Sequence, residues 1–226
     1  MLEFRQYISS SKPQNLLIFL HGYNGNWKDH QYIIDWLTDC LPNSAVIVPL
    51  APEICDKNQR KRQWFGMLKY DAEARRIMPQ TKTAEIFSIY EAAAAEIADK
   101  SALINNFVSA RQKELGFSDD KTYIAGFSQG AMLAIYAALT RDKKLGGVFA
   151  FSGLVAAKNS LSLSIKSRPT VYMFHGEQDM KVQYKTLAES KKWLEDNLVP
   201  LQVTTYPNLA HCVNEDEIIS LAEIIK

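Results

Sequence analysis

Short apolar runs alternate with longer amphipathic stretches along most of the chain. Five of these runs are rich in Ile, Val, Leu and Phe, a composition typical of strands that are buried on both faces of a sheet. They cover residues 16–20, 45–49, 122–125, 147–151 and 170–174. Residues 202–206 form a sixth candidate, which we expect to be more exposed. The pattern therefore predicts six strands.

Helical patterns lie between several of these runs. From residue 85 to residue 115, apolar side chains recur at positions 97, 104, 108 and 115, and Gly116 provides a C-terminal stop. Residues 131–140 and 184–197 predict two further helices. Strands that alternate with helices indicate an α/β fold with a mainly parallel sheet and helices on both faces. Because no repeat, low-complexity tract or Gly/Ser linker interrupts the chain, we expect one α/β domain over residues 1–226.

The segment from 51 to 83 has no predicted helix or strand. A loop of this length in a compact domain is often functional, so we expect a lid or a substrate-binding excursion. Residues 57–62 carry four positive charges within six positions. Such a run could attract anionic lipid headgroups, but a solvated surface loop is the favoured interpretation because charge runs usually face water.

Composition excludes several classes of protein. The chain has 226 residues, of which 47% are hydrophobic and 23% charged, with a formal net charge of +1. These proportions are typical of a soluble globular protein, and the near-neutral charge disfavours a nucleic-acid partner. The first apolar run has five residues, whereas a membrane span needs about 20, so no integral membrane association is expected.

The three cysteines, Cys40, Cys55 and Cys212, are widely spaced and include no metal-type pair. We therefore expect neither a metal nor a cofactor. Thiols without a pairing pattern fit a reducing compartment, so we expect a cytoplasmic protein.

The strongest chemical signal is Gly126-Phe127-Ser128-Gln129-Gly130. It follows the predicted strand at 122–125 and precedes an apolar helix, the context in which a Gly-x-Ser-x-Gly turn presents a nucleophilic serine. The strained turn requires small residues two positions on either side of the serine, which Gly126 and Gly130 provide. Ser128 is therefore the candidate nucleophile.

A serine nucleophile needs a histidine base and an acid that orients the histidine. In this type of site the chain order is serine, acid, histidine, which favours His211 as the base. Asp179 is the preferred acid because it follows the C-terminal end of a strand, where catalytic groups collect in open α/β sheets. Glu177 is the second choice. The remaining acids belong to a predicted amphipathic helix, where charges usually face solvent: Glu189, Glu195 and Asp196.

Acyl transfer also needs donors for a developing oxyanion. The backbone N–H of Gln129, directly after the serine, is the first candidate. The second is the N–H of Tyr23, in the loop that follows the strand at 16–20.

Four motifs in a fixed order resemble the carboxylesterase/acyl-protein thioesterase, or lysophospholipase-like, branch of the α/β-hydrolases. They are Phe-Leu-His-Gly-Tyr at 19–23, Gly-Phe-Ser-Gln-Gly at 126–130, His-Gly-Glu-Gln-Asp-Met-Lys-Val at 175–182 and Ala-His at 210–211. The resemblance implies the same triad and the same oxyanion donors. It also implies that Trp64 and Phe65 contact substrate, and that the protein forms a homodimer.

The chain departs from the family pattern at two places. Tyr23-Asn24 follows the first His-Gly where the family often has Leu-Gly, and Gly66 stands where an acidic residue often follows the Trp-Phe pair. Both positions belong to the expected substrate region, so the departures affect the expected substrate and leave the triad untouched.

These observations predict a serine hydrolase that cleaves a small ester, thioester or lysolipid through a Ser128 acyl-enzyme. A carboxylesterase is the preferred interpretation. The first alternative is an acyl-protein thioesterase or lysophospholipase that acts on longer acyl chains. The second is a binding module of the same fold without activity, which ranks low because such proteins usually lose a triad member and this chain retains all three candidates.

Overall fold

The computed structural model describes residues 2–225, in which nine strands are found. They are β1 (Phe4–Ile8), β2 (Asn15–Leu20), β3 (Ser44–Pro49), β4 (Glu53–Cys55), β5 (Asn58–Gln63), β6 (Thr122–Phe127), β7 (Gly147–Phe151), β8 (Val171–Gly176) and β9 (Leu201–Tyr206). Seven of them form one sheet in the order β1-β3-β2-β6-β7-β8-β9. Only β1 runs antiparallel to its neighbour in this sheet. The predicted α/β class with a mainly parallel sheet is confirmed.

Seven α-helices accompany the strands in the described part of the chain. They are α1 (Gln31–Cys40), α2 (Thr83–Ala92), α3 (Ala94–Leu115), α4 (Gln129–Leu139), α5 (Lys158–Ser162), α6 (Thr186–Asp196) and α7 (Glu215–Ile225). No helix within residues 2–225 is both long enough and apolar enough to cross a membrane.

Alternate residues of the central strands supply two separate apolar layers. Leu16, Ile18 and Leu20 of β2 pack into the layer beneath α3 and α4, whereas Leu17 and Phe19 pack into the layer beneath α1 and α7. All six residues of β2 are buried, as expected for a parallel strand that is covered on both faces. This double burial is why the strand reads as a continuous apolar run in the sequence.

The predicted helix from 85 to 115 is two helices. Ala93 leaves helical geometry, with φ −89° and ψ 6°, and its N–H bonds the carbonyl of Tyr90 rather than continuing the α pattern. The two helices have different partners, since α2 contacts α5 and α3 packs along α4. Buried apolar side chains keep nearly the same helical spacing on both sides of Ala93. The position of the break is therefore set by tertiary packing and not by local residue preference.

The segment from 51 to 83 contains a hairpin of β4 and β5, and a single 3₁₀ turn at Arg75–Ile77. β5 has the sequence NQRKRQ, which lacks the apolar alternation of a strand and was therefore not predicted. This hairpin is attached to the loop after β2. Arg62 and Gly25 exchange two backbone hydrogen bonds, of 3.0 and 3.3 Å. The hairpin is thus held by contacts that are distant in sequence.

Candidate active site

Ser128 lies in a sharp turn between β6 and α4. Its backbone has φ 56° and ψ −116°, a conformation that side chains rarely adopt outside such strained turns. A Cβ atom on Gly126 would lie 2.4 Å from the carbonyl of Gly130, and one on Gly130 would lie 2.2 Å from the carbonyl oxygen of Leu20. Both glycines are therefore required by close approach of the backbone, as the sequence motif predicts.

The three triad candidates meet at the carboxyl-terminal edge of the sheet, where β6, β8 and β9 end. The Oγ of Ser128 lies 3.0 Å from Nε2 of His211, and Nδ1 of His211 lies 2.7 Å from Oδ2 of Asp179. Because a carboxylate only accepts hydrogen bonds, Nδ1 carries the proton and Nε2 is left to accept from the serine hydroxyl. These contacts join residues from the loops after β6, β8 and β9.

Asp179 is held in one orientation by its own loop. Its side chain is buried, and Oδ1 accepts the backbone N–H groups of Lys181 and Val182 at 2.8 and 3.0 Å. Oδ2 is thereby directed to His211. Glu177, the second choice from the sequence, instead accepts the hydroxyl of Thr205 at 2.9 Å on the surface.

The buried side chain of His175 contacts the same loop. Its Nε2 donates to the carbonyl of Val182 at 2.8 Å and lies 3.5 Å from Oδ2 of Asp179. Burial lowers the pKa of His175, so the ring is neutral and does not form an ion pair with Asp179.

Two buried histidines shape the loop that holds Tyr23. His21 donates from Nδ1 to the carbonyl of Gly22 at 2.8 Å and accepts the N–H of Ala51 at 3.1 Å. His30 accepts the N–H of Gly22 at 3.4 Å and donates to the carbonyl of Asn26 at 3.1 Å. Burial lowers the pKa of His21 to about 4 and that of His30 below its usual range, so both rings are neutral. Each ring can therefore accept and donate at once, which sets the loop geometry.

The backbone N–H groups of Tyr23 and Gln129 donate to no residue within the described range 2–225. Gln129 is the first residue of α4, where backbone donors have no partner inside the helix. Both residues line the cavity that contains Ser128 and His211. Unsatisfied donors beside a nucleophile are what an oxyanion site requires.

Asp56 connects this loop to the 51–83 segment. Its Oδ1 accepts the hydroxyl of Tyr23, and its Oδ2 accepts the N–H groups of Met67 and Leu68, both at 2.8 Å. These hydrogen bonds outweigh the effect of burial and hold the pKa of Asp56 below its usual range. Burial raises the pKa of the Tyr23 hydroxyl, which therefore stays protonated as a donor. Asp56 was not found from the sequence because no motif marks it.

Trp64 and Phe65 are fully buried behind the cavity wall. The side chain of Gln129 bonds both, since its Oε1 accepts the N–H of Trp64 at 2.9 Å and its Nε2 donates to the carbonyl of Phe65 at 2.8 Å. Trp64 also donates from its indole to the carbonyl of His21 at 2.8 Å. Neither side chain is part of the cavity lining, so the contact with substrate expected from the family resemblance stays a prediction.

The cavity around Ser128 has a volume of about 270 Å³. Its apolar wall comes from four side chains: Met67, Ile77, Met132 and Val182. A wider cavity of about 850 Å³ lies across α3 and α4, and none of the triad candidates contributes to it. Within residues 2–225 no group of three His, Cys, Asp or Glu side chains could hold a metal ion.

The fold and the serine turn define an α/β-hydrolase-like protein. The family model for phospholipase/carboxylesterase matches residues 7–226, so the chain belongs to that family. The hydrolase class predicted from the sequence, which includes both the carboxylesterase and the thioesterase interpretations, is thereby confirmed.

The curated relatives agree with this assignment, and the solved structures share the fold. The chain is 25% identical to acyl-protein thioesterase 1 of Kluyveromyces lactis over 96% of its own length and 93% of the relative. It is 28% identical to a probable carboxylesterase, SOBER1-like, of Arabidopsis thaliana over 57% of its length and 52% of that protein. Among solved structures, esterase PE8 superposes with a TM-score of 0.80 at 24% identity, covering 99% of this chain and 97% of PE8. SOBER1 of Arabidopsis thaliana gives 0.76 at 20%, covering 93% and 97%.

Proposed function

We propose that this chain hydrolyses carboxylic esters or thioesters through an acyl-enzyme on Ser128. The observation that carries the proposal is the hydrogen-bonded series from Ser128 to His211 to Asp179, at 3.0 and 2.7 Å. A serine hydroxyl becomes a strong nucleophile only when a base removes its proton as it attacks.

In the first step Ser128 Oγ attacks the acyl carbon while His211 Nε2 takes the hydroxyl proton. Asp179 keeps the proton of Nδ1 in place and stabilises the imidazolium that forms. The carbonyl oxygen becomes an oxyanion, which the N–H groups of Tyr23 and Gln129 stabilise. Removal of one such donor typically costs about 3 kcal/mol of transition-state stabilisation.

Collapse of the tetrahedral intermediate releases the alcohol or thiol, which receives the proton from His211. Water then enters, gives a proton to His211 and attacks the acyl group on Ser128. The second collapse releases the carboxylic acid and returns the proton to the Ser128 oxygen. Two moderate barriers thus replace one high barrier.

The cavity volume favours small acyl groups. At about 270 Å³ it lies just below the range of about 300–1,000 Å³ typical of ligand pockets. A carboxylesterase that acts on short chains is therefore the first choice. Thioester hydrolysis is the second, favoured by the match to acyl-protein thioesterase 1 over nearly the full chain.

Hydrolysis of p-nitrophenyl esters from acetate to palmitate by the wild type and by Ser128→Ala tests the proposal. We expect activity to peak at short chains and to fall by about 10⁴-fold or more in the variant, because triad members act as a unit. Ser101→Ala, which removes a buried hydroxyl on α3, is the matched control and keeps full activity.

A matched oxygen ester and thioester of one short acid, assayed in parallel, decide between the first and second choices. Equal turnover by wild type and Ser128→Ala would refute the nucleophile. No hydrolysis by the folded wild type, together with no labelling by a fluorophosphonate, would instead favour the binding module.

A further inference from the structure

Three cationic side chains line the cavity that contains Ser128. They come from separate places in the fold: Lys57 from the turn between β4 and β5, Arg76 from the 3₁₀ turn, and Lys181 from the loop after Asp179. Among residues 2–225, no Asp or Glu is part of the cavity lining. Convergence of three cations on one small cavity is unexpected if the substrate is uncharged.

Two of these charges have no partner. Within the described chain no carboxylate oxygen lies within 4.0 Å of the ammonium groups of Lys57 or Lys181, and both side chains are exposed to solvent. Arg76 differs, since its guanidinium is buried and donates to Oδ2 of Asp71 at 2.6 Å. Beside one neutralised ion pair, the cavity therefore presents two positive charges that have no ion-pair partner within residues 2–225.

Neighbouring carboxylates do not serve as partners for the lysines. Asp56 binds the hydroxyl of Tyr23 and two backbone N–H groups, and Asp179 binds His211 and the amides of its own loop. Two of the three other cations of the 57–62 run have partners outside the cavity. Lys61 pairs with Asp29, and Arg62 donates to the carbonyl of Pro52 at 3.3 Å.

Building on the proposed function, we propose that the substrate is a small ester or thioester that carries an anionic group, a carboxylate or a phosphate. The anion lies between the ammonium groups of Lys57 and Lys181. The acyl carbon meets Ser128, and the short apolar part contacts the wall formed by Met67, Ile77 and Met132. Neutral long-chain esters would gain no binding energy from either ammonium group and would extend beyond the cavity of about 270 Å³.

Two pairs of substrates test the proposal and locate the anion. On the acyl side, mono-p-nitrophenyl glutarate is compared with p-nitrophenyl 5-methylhexanoate, in which an isopropyl group replaces the carboxylate. On the leaving-group side, 4-acetoxyphenyl phosphate is compared with 4-tert-butylphenyl acetate. The first pair reports a carboxylate on the acid, and the second a phosphate on the alcohol.

The expected preference follows from Coulomb's law. One ammonium at about 5 Å in water favours an anion by about fourfold, so two favour it by about 15-fold. We expect kcat/KM for the anionic member of one pair to exceed that of the neutral member by about tenfold. Salt at about 1 M, where the screening length is about 3 Å, should remove most of that preference.

The double variant Lys57→Met/Lys181→Met should lower this ratio of kcat/KM values by about tenfold. The two esters of a pair differ in intrinsic reactivity, but this difference is the same for the variant and the wild type. It therefore cancels when the anionic-to-neutral ratio of kcat/KM is compared between the two proteins. Lys61→Met is the matched control, because it removes the same charge from the same hairpin without changing the cavity lining. The control should keep the wild-type ratio.

An equal or lower kcat/KM for the anionic ester in both pairs would overturn the inference, as would a double variant that keeps the wild-type ratio. Neither result would affect the proposed nucleophile, provided that the neutral esters are hydrolysed by the wild type and not by Ser128→Ala. Failure to hydrolyse any of the four esters would instead count against the proposed function itself.

Discussion

Replacement of Glu217 by glutamine should change how the stability of this protein depends on pH. Glu217 lies in the first turn of α7, six residues after His211, and its side chain is fully buried. Its Oε2 accepts the N–H of Asn214 at 2.9 Å, and Asn214 returns the bond by accepting the N–H of Glu217 at 3.0 Å. Oε1 has no hydrogen-bond partner within the part of the chain that the structure describes. Only one of the two carboxyl oxygens is therefore hydrogen-bonded within the described chain, and the group lies in an apolar layer.

Burial raises the pKa of Glu217 from 4.5 to about 7, and the hydrogen bond from Asn214 opposes this shift only in part. In the unfolded chain the group loses its proton near pH 4.5, whereas in the folded chain it keeps the proton until about pH 7. The folded state then binds more protons between these values, so the free energy of unfolding falls as pH rises. From below pH 4.5 to pH 8, the rise of this pKa to about 7 lowers the free energy of unfolding by about 3 kcal/mol.

His21 has the opposite effect. Its pKa is lowered to about 4, so between pH 4 and 6.5 the unfolded chain binds the extra proton and stability rises with pH. The two groups largely cancel in the wild type between pH 4.5 and 6.5. For this reason the informative quantity is the difference between Glu217→Gln and the wild type at each pH.

Urea unfolding of both proteins from pH 5 to pH 8 measures that difference. The variant keeps the bond to Asn214 and cannot ionise, so its stability relative to the wild type should increase by about 2.5 kcal/mol between pH 5 and pH 8. Glu215→Gln, an exposed change in the same helical turn, is the control. Its free energy of unfolding should change with pH in the same way as that of the wild type. If the free energies of unfolding of Glu217→Gln and the wild type changed with pH in parallel, the raised pKa of Glu217 would be refuted as the cause.

Three further substitutions test the site. Asp179→Asn should lower kcat by about 10⁴-fold with an unchanged circular dichroism spectrum, because an amide favours the wrong histidine tautomer; near-normal turnover would contradict the role of Asp179. Gly130→Ala places a Cβ 2.2 Å from a carbonyl oxygen of β2 and should lower the free energy of unfolding in urea by about 3 kcal/mol. Gly116→Ala is the control: its Cβ would meet no described atom within 4 Å, so its positive φ alone should lower that free energy by about 1 kcal/mol. Tyr23→Phe removes the hydroxyl bond to Asp56 and should lower kcat more than it raises KM; a pure KM effect would contradict an orienting role.

The candidate site was predictable from the sequence to the extent that it depends on local motifs. The Gly-x-Ser-x-Gly turn identifies Ser128, chain order favours His211, and a position just after a strand favours Asp179 over Glu177. The structure places His211 within hydrogen-bonding distance of both Ser128 and Asp179. Their use in catalysis stays a proposal that Ser128→Ala tests.

Residues that support the site from a distance in sequence were missed. Asp56 contacts Tyr23 across 33 positions, and Gln183 donates to the carbonyls of Arg76 and Met78 across more than 100. A hydrogen bond between remote residues leaves no period and no fixed spacing. The only signal in the sequence was the unusual length of the 51–83 segment.

The sequence by itself determined the layered fold, since buried parallel strands must be continuous apolar runs and the helices between them must present one apolar face. It also determined the turn at Ser128, because only glycines fit two positions on either side. Tertiary structure alone decided the edge strand β1, the β4–β5 hairpin and the break at Ala93. It also placed Lys57, Arg76 and Lys181 around one cavity. Such features arise from contacts between distant segments, and local residue preferences do not specify them.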